Sequence, residues 1–272
     1  MNAASREAVR NLGTHVTTVL SRSAVGGMTA LAEEFYAIAD LLTKQPRLRR
    51  RLADPAVSAE ARKRLAESLL GRKVSASAMS VLGSAVVQRW SGAWDLVDAL
   101  ESTGDEVLLA AADSQGVIDS VEDELFRLER ILDAESGLTT LLDEATVDGQ
   151  RRGELLVGVI TAKAHPITVA LVRHAVITER KRNILLAINS LIEAAGKRRE
   201  RSVARVVSAV ELSDQQQGEL AERLSQIYGR RIDVRHAVDP AIRGGLIVHV
   251  GDEVIDGSVA ARLAQVRSAF VN

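Results

Sequence analysis

Apolar positions recur first with the spacing of a helix. Leu31, Phe35, Ile38 and Leu42 step by four, three and four residues, which puts them on one side of an amphipathic helix. Val121, Leu125, Leu128 and Leu132 repeat the same steps 90 residues downstream. At that one offset, without a gap, Leu48 meets Leu138, Leu52 meets Leu142, Val57 meets Val147, Arg62 meets Arg152, Leu65 meets Leu155, Val86 meets Val176 and Leu96 meets Leu186. A shared apolar register with no insertion predicts an internal duplication, two tandem helical bundles over 1–113 and 114–201. Asp54-Pro55 in the first copy and Asp148-Gly149 in the second mark helix breaks, because Asp, Pro and Gly there end one helix and start the next. The stretch DSVEDELFRLERIL, whose stripe runs from Val117 or Val121 without a turn signal, predicts a long helix that links the bundles.

The pattern changes after Lys197 to Arg201. SVARVVSAVEL is valine-rich with no helical stripe and reads as a strand. Ser213 opens a helix, with Gln216 completing a capping box, Leu220, Leu224 and Ile227 as its stripe and Gly229 at its stop. In RRIDVRHAV, Ile232, Val234 and His236 alternate as in a strand. The last segment, GGLIVHVGDEVIDGSVAARLAQV from Gly244, holds two glycine clusters and three carboxylates. It reads as strand Leu246 to Val250, a two-residue turn at Gly251-Asp252, a returning strand from Glu253 to Ile255, and a turn at Asp256-Gly257-Ser258. Ser258 then caps a final helix that buries Val259, Leu263, Val266 and Phe270. The expected fold class is mainly α: two bundles over 1–113 and 114–201, then a small α+β domain over 202–272.

Composition supports that picture and narrows the chemistry. Aromatic residues are 3% of the 272, which suits packed helices better than sandwich sheets. Cysteine is absent, which excludes disulfides, thiolate zinc sites and a cysteine nucleophile. Thirty-five basic against 36 acidic residues leave a net charge of −1, so nothing global favours nucleic acid or an anionic bilayer. MNAASREAVR lacks the apolar core of a signal peptide, and runs such as VLLAAA at 107–112 fall short of the roughly 18 to 20 residues that a membrane helix needs. We expect a soluble chain without direct membrane insertion.

The glycine-rich end is the one candidate for chemistry. A phosphate loop requires a lysine and a Ser or Thr ahead of a helix, or GxGxxG, and neither occurs there. Asp252, Glu253 and Asp256 lack the alternating ligands of a calcium loop, so turn chemistry explains them better. His15, His165, His174, His236 and His249 form no ligand pair at helical spacing; His236 and His249 lie on strands of one domain, which leaves a facing pair open, with a half-exposed sheet histidine the commoner case. No GxSxG elbow surrounds any serine. We therefore expect no catalytic residue, no cofactor and no metal. The basic runs Arg47 with Arg49 to Arg51, Arg180 to Arg182, and Lys197 to Arg201 lack interleaved aromatics, and solvated helix faces are the expected explanation.

ARVVSAVELS at 204–213 and VDPAIRGGLIVHVGDEVIDGSVAARL at 238–263 carry a resemblance. Ser208-Ala209, Leu212-Ser213, Asp239-Pro240, Gly244-Gly245, Gly251-Asp252, Asp256-Gly257-Ser258 and Leu263, in this order and spacing, resemble the delta subunit of F-type ATP synthase, the bacterial relative of the oligomycin-sensitivity-conferring protein. TERKRNILLAINSLIE at 178–193 is similar to that family's last N-domain helix. The chain departs from the usual plan in having two bundles, like the long forms of high-GC Gram-positive bacteria. The resemblance implies a non-catalytic stator: a bundle grips the N-terminal segment of the alpha subunit, the C-terminal domain holds the end of a separate b subunit, and the complex lies on the cytoplasmic face of the cell membrane. Position favours the second bundle for alpha, with Arg180, Arg182, Leu185 and Leu186 as the candidate contact face. A free-standing helical adaptor is the alternative.

Overall fold

The computed structural model describes residues 2–22, 25–144, 146–178, 183–201, 203–228, 232–242, 244–250 and 253–261. The chain divides into two compact units, Met1–Ala194 and Ala195–Asn272. It is mainly helical, with a small four-stranded sheet in the second unit, as the sequence implies.

Among the described residues the first unit's regular elements are all helices: α1 Ala3–Leu20, α2 Val25–Lys44, α3 Pro46–Ala53, α4 Ala59–Leu70, α5 Ala76–Val87, α6 Ala93–Ser114, α7 Ile118–Ala134, α8 Ser136–Asp143, α9 Gly149–Ile160, α10 Pro166–Ile177, and α11 Ile184–Arg201, which begins here. Shifted by 90 residues, α3, α4 and α5 coincide with α8, α9 and α10 at both ends, and α2 ends where α7 does. Polar contacts repeat as well. The Glu34 carboxylate accepts hydrogen bonds from Ser75 N and Oγ at the start of α5, and Glu124, 90 residues on, accepts from His165 N and Thr168 Oγ1 at the start of α10. The Leu42 carbonyl accepts from Arg49 Nη1, and its counterpart Leu132 from Thr139 Oγ1. Asp148 caps α9, as its break predicts, whereas at the first break Asp54 ends α3 and accepts from Ala56 N, and Ser58 is the cap of α4.

The link between the copies differs from the sequence expectation. It runs through α6, which packs against α1, α2, α3 and α5 and also against α7 and α10. Its run from Val107 to Ala112 is buried on every side, the pattern of an interior helix. The chain then reverses at Gly116, at φ 70°. Val117 N donates to Ala112 O and Gly116 N to Asp113 O, the paired bonds of a Schellman stop, before α7 starts at Ile118. The stripe from Val117 therefore belongs to a new helix.

Tyr36 ties the copies together. Its ring stacks on His174 of α10, centroids 3.5 Å apart and planes within 16°. Its hydroxyl donates to Asp105 Oδ1 at 2.8 Å. Burial, then the neighbouring Asp105 carboxylate, holds the phenol pKa well above its ordinary 10.0. The folded state thus favours the neutral phenol. That contribution is fully present below about pH 10 and is lost as pH rises through the higher folded value. Tyr36→Phe is expected to flatten the fall of stability above about pH 10 and to lower stability near neutrality by about 1 kcal/mol, through the lost hydrogen bond. Urea unfolding at pH 8 and 11 reads both, and parallel pH dependences in the two proteins would rule this out.

In the second unit, β1 Val203–Ser208, α12 Asp214–Tyr228, β2 Asp233–Val238, β3 Leu246–Val250 and β4 Glu253–Asp256 form a sheet of order β2-β1-β3-β4. β1 and β2 are parallel with α12 as their crossover, and β3 runs antiparallel to both β1 and β4. Ala204, Val206, Val248 and Val250 on one face form the core with Leu224 of α12 and Ile232. Ser213 and Gln216 make the expected reciprocal cap: Ser213 N donates to Gln216 Oε1 and Gln216 N to Ser213 Oγ. Ile227 departs from its stripe. It is 71% exposed, because α12 rests on the sheet through Leu224 and Leu220. Val259, expected inside, is 43% exposed. Gly229, Leu263, Val266 and Phe270 lie outside the described residues.

Candidate functional site

Two repeat positions differ sharply in exposure. Tyr36 is 6% exposed, whereas its counterpart Phe126 on α7 is 45% exposed. Leu96 on α6 is fully buried, whereas its counterpart Leu186 on α11 is 64% exposed. In the first copy α6 and α10 cover the Tyr36 ring, and helices on both sides enclose α6. The second copy leaves the same positions open, at the start of α11 for Leu186, where Leu185 beside it is half-buried. Of the candidate contact face, Leu185 and Leu186 are thus placed, and Arg180 and Arg182 lie outside the described residues.

The basic runs are not uniformly solvated. Arg49 is buried: its Nη1 donates to Leu42 O and Thr43 O at the end of α2, and its guanidinium lies 3.5 Å over the Trp94 ring. There it meets the negative end of a helix dipole and an aromatic face, both of which favour a cation. The signal was in the sequence, since Arg49 shares a face with Leu52 three residues on. The repeat pair Arg62 and Arg152 is buried too. Arg62 Nη1 donates to Gln88 O, and Arg152 Nη1 to Leu142 O. Desolvation lowers the Arg62 pKa below the ordinary guanidinium range, partly offset by Asp54 and Glu60.

At the glycine-rich end the described glycines, with Asp256 and Ser258, shape the backbone. Gly244 and Gly245 take φ 126° and 84°, conformations that L side chains avoid. Gly257 N donates to Leu246 O, and Val259 N to Gly244 O, so the chain beyond β4 lies along the entry to β3. Asp256 Oδ1 accepts from Ser258 N, and hydrogen bonds to Ser258 hold the Asp256 pKa below its ordinary 3.8. Ser258 Oγ in turn caps Ala261 N. Gly251 and Asp252 lie outside the described residues. His236 and His249 do not face each other: His236 pairs with Val206 on the core face, where its Nε2 lies 2.7 Å from Ser208 Oγ, and His249 pairs with Arg205 on the other.

Among the described residues no group of three or more His, Asp or Glu side chains gathers to hold a metal, and no helix is long and apolar enough to cross a membrane. An open cleft of about 480 Å³ beside α1 is lined by Glu7, Asn11, Pro55, Gln88, Arg89 and Trp90, which include no nucleophile.

The family model described as ATP synthase delta (OSCP) subunit matches residues 106–270. The chain belongs to that family. Among relatives each named ATP synthase subunit delta, one from Streptomyces griseus is 39% identical over 97% of both chains. One from Streptomyces coelicolor is 41% identical over 97% of this chain and 96% of its own, and one from Corynebacterium diphtheriae 39% over 98% and 99%. As a delta subunit the chain is a non-catalytic part of the peripheral stalk of F-type ATP synthase, serving ATP synthesis and the ion transport coupled to it. The family match begins inside α6, at residue 106. The relatives also match nearly all of what precedes it, so the first copy is common to these long delta subunits.

Proposed function

We propose that this delta subunit links the alpha subunits of the catalytic head to a separate, membrane-anchored b subunit, on the cytoplasmic face of the cell membrane. In this reading the second bundle, 114–201, grips the N-terminal segment of alpha, the α+β domain, 202–272, holds the C-terminal end of b, and the first bundle, 1–113, braces the second. The contrast in exposure between the copies carries the assignment. Leu186 and Phe126 stand open on the second bundle where the first has closed the equivalent positions, and apolar side chains left open on a helical bundle suit a partner helix. Arg180 and Arg182, just ahead of α11 in sequence, would add charge to a contact made by Leu185 and Leu186.

The test is isothermal titration of the full-length chain with a peptide of the N-terminal segment of the cognate alpha subunit. One-to-one binding is expected, weakened about tenfold or more by Leu186→Glu, since a charge would enter an apolar contact. Binding that is equally tight in the Leu186→Glu protein would move the alpha contact away from this face.

A further inference from the structure

We propose that the outer face of the second unit's sheet is a docking surface for an acidic, amphipathic segment of a partner protein, anchored by a row of Arg235, Arg205 and His249. The proposal rests on the reading that this unit holds the end of b, and it adds which face does so and by what chemistry.

The row follows from strand register. In the parallel pair β1/β2, Arg205 stands opposite Arg235, and in the antiparallel pair β1/β3 it stands opposite His249. Three neighbouring strands thus present two guanidinium groups and an imidazole in one line across the sheet. Strand alternation fixes the face. Ala204, Val206, Val248 and Val250 point into the core, so Arg205, Arg235 and His249 point away from it. Both arginines are exposed and His249 is half-buried.

Directly opposed like charges destabilise a sheet, and an ordinary surface would interleave carboxylates or threonines. Here no carboxylate among the described residues forms an ion pair or hydrogen bond with Arg205 or Arg235. Carboxylates on this face lie at its margins, Asp233 at the start of β2 and Asp256 at the end of β4, and Asp256 is engaged by Ser258 N. Two opposed arginines kept apart from internal carboxylates fit an external partner. Arginine holds a carboxylate through two parallel hydrogen bonds, which favours Glu or Asp side chains as that partner.

The rest of the face points to a protein segment. Val203 and Val207 on β1, Ala237 on β2, Ile247 on β3 and Val254 on β4 lie on the same side as the row. These supply apolar contact beside the charges and no aromatic ring on which a nucleobase would stack. An amphipathic segment with carboxylates next to aliphatic side chains matches both parts.

The decisive variant is Arg205→Glu in the full-length chain. It sets a carboxylate directly opposite Arg235, so the sheet is expected to melt at the same temperature or higher, while binding suffers. Titrated with the soluble segment of the cognate b subunit, the variant is expected to bind about tenfold or more weakly, with a shallower salt dependence than the unmodified chain, and Arg205→Lys to recover most of the loss. The alpha peptide is expected to bind both proteins equally. Equal b binding by Arg205→Glu and the unmodified chain would overturn the docking face and leave the stalk reading intact. A chain that binds the alpha peptide but not the b segment would remove the reading of this unit as the b holder, and the proposal with it. Arg205-dependent binding of a mixed-sequence RNA or of phosphatidylglycerol vesicles, without binding of the b segment, would overturn the proposal in favour of a polyanion site.

Discussion

Gly104→Val is expected to destabilise the first unit by about 3 kcal/mol, in the upper range for overpacked interiors. A Cβ at this position would lie 2.3 Å from Tyr36 Cε1 and 2.7 Å from Cδ1, well inside contact distance. A flexible side chain elsewhere would swing away at little cost. Tyr36 cannot, because His174 is stacked on its ring and Asp105 holds its hydroxyl. Gly104→Ala already adds the colliding atom and is expected to show much of the loss. In a double-mutant cycle, Tyr36→Leu should absorb a large part of the Gly104→Ala cost, because the smaller side chain frees the space. Urea midpoints for the four proteins measure this. Additive costs, or a neutral Gly104→Ala, would mean that the ring yields more readily than its contacts suggest.

Gly245→Val is expected to unfold or mis-pair the second unit while the first stays folded. Two effects add. At φ 84° a β-branched residue is strained by a few kcal/mol, and its Cβ would sit 2.4 Å from Gly257 O and 2.8 Å from Ser258 Cα. Those atoms are backbone, held in place by the Gly257 N to Leu246 O bond, so the clash is relieved only by pulling the end of β4 away from β3. Loss of the lower thermal transition, fast proteolysis confined to the C-terminal third, and lost b binding with intact alpha-peptide binding are the expected signs. Unchanged melting and unchanged b binding would refute it.

Local pattern carried most of the architecture. The four-three-four stripes of α2 and α7 are buried where their spacing put them, and the 90-residue offset matches helix ends as well as apolar positions. The turn chemistry at Gly244-Gly245 and at Asp256 to Ser258 was readable because positive φ and Asx caps are properties of a few adjacent residues. Contacts between distant segments were not. Tyr36 and His174 lie on separate repeats, and nothing in either helix's period marks them as partners. Gly104 was the available hint: a glycine inside a helix costs about 1 kcal/mol against alanine and implies a close approach. The double membership of α6 was hidden for the same reason, since its apolar positions satisfy two bundles and produce no clear stripe. Arg49 departs from the solvated face expected of its basic run, because within that run only the residue aligned with Leu52 turns inward. Phe126 and Leu186 belong to the same class, because an apolar repeat position says that a side chain prefers cover and leaves open what supplies it.

A duplicated bundle joined by a flexible connector would put a compliant joint into a part that has to hold still while the rotor turns. The helix shared by the two copies removes that joint. From Ala93 to Ser114 one continuous rod serves as the last member of the first copy and the first member of the second, so load entering either copy meets the same rod without crossing a linker. Extra length gained in this way adds reach to a static arm without adding play.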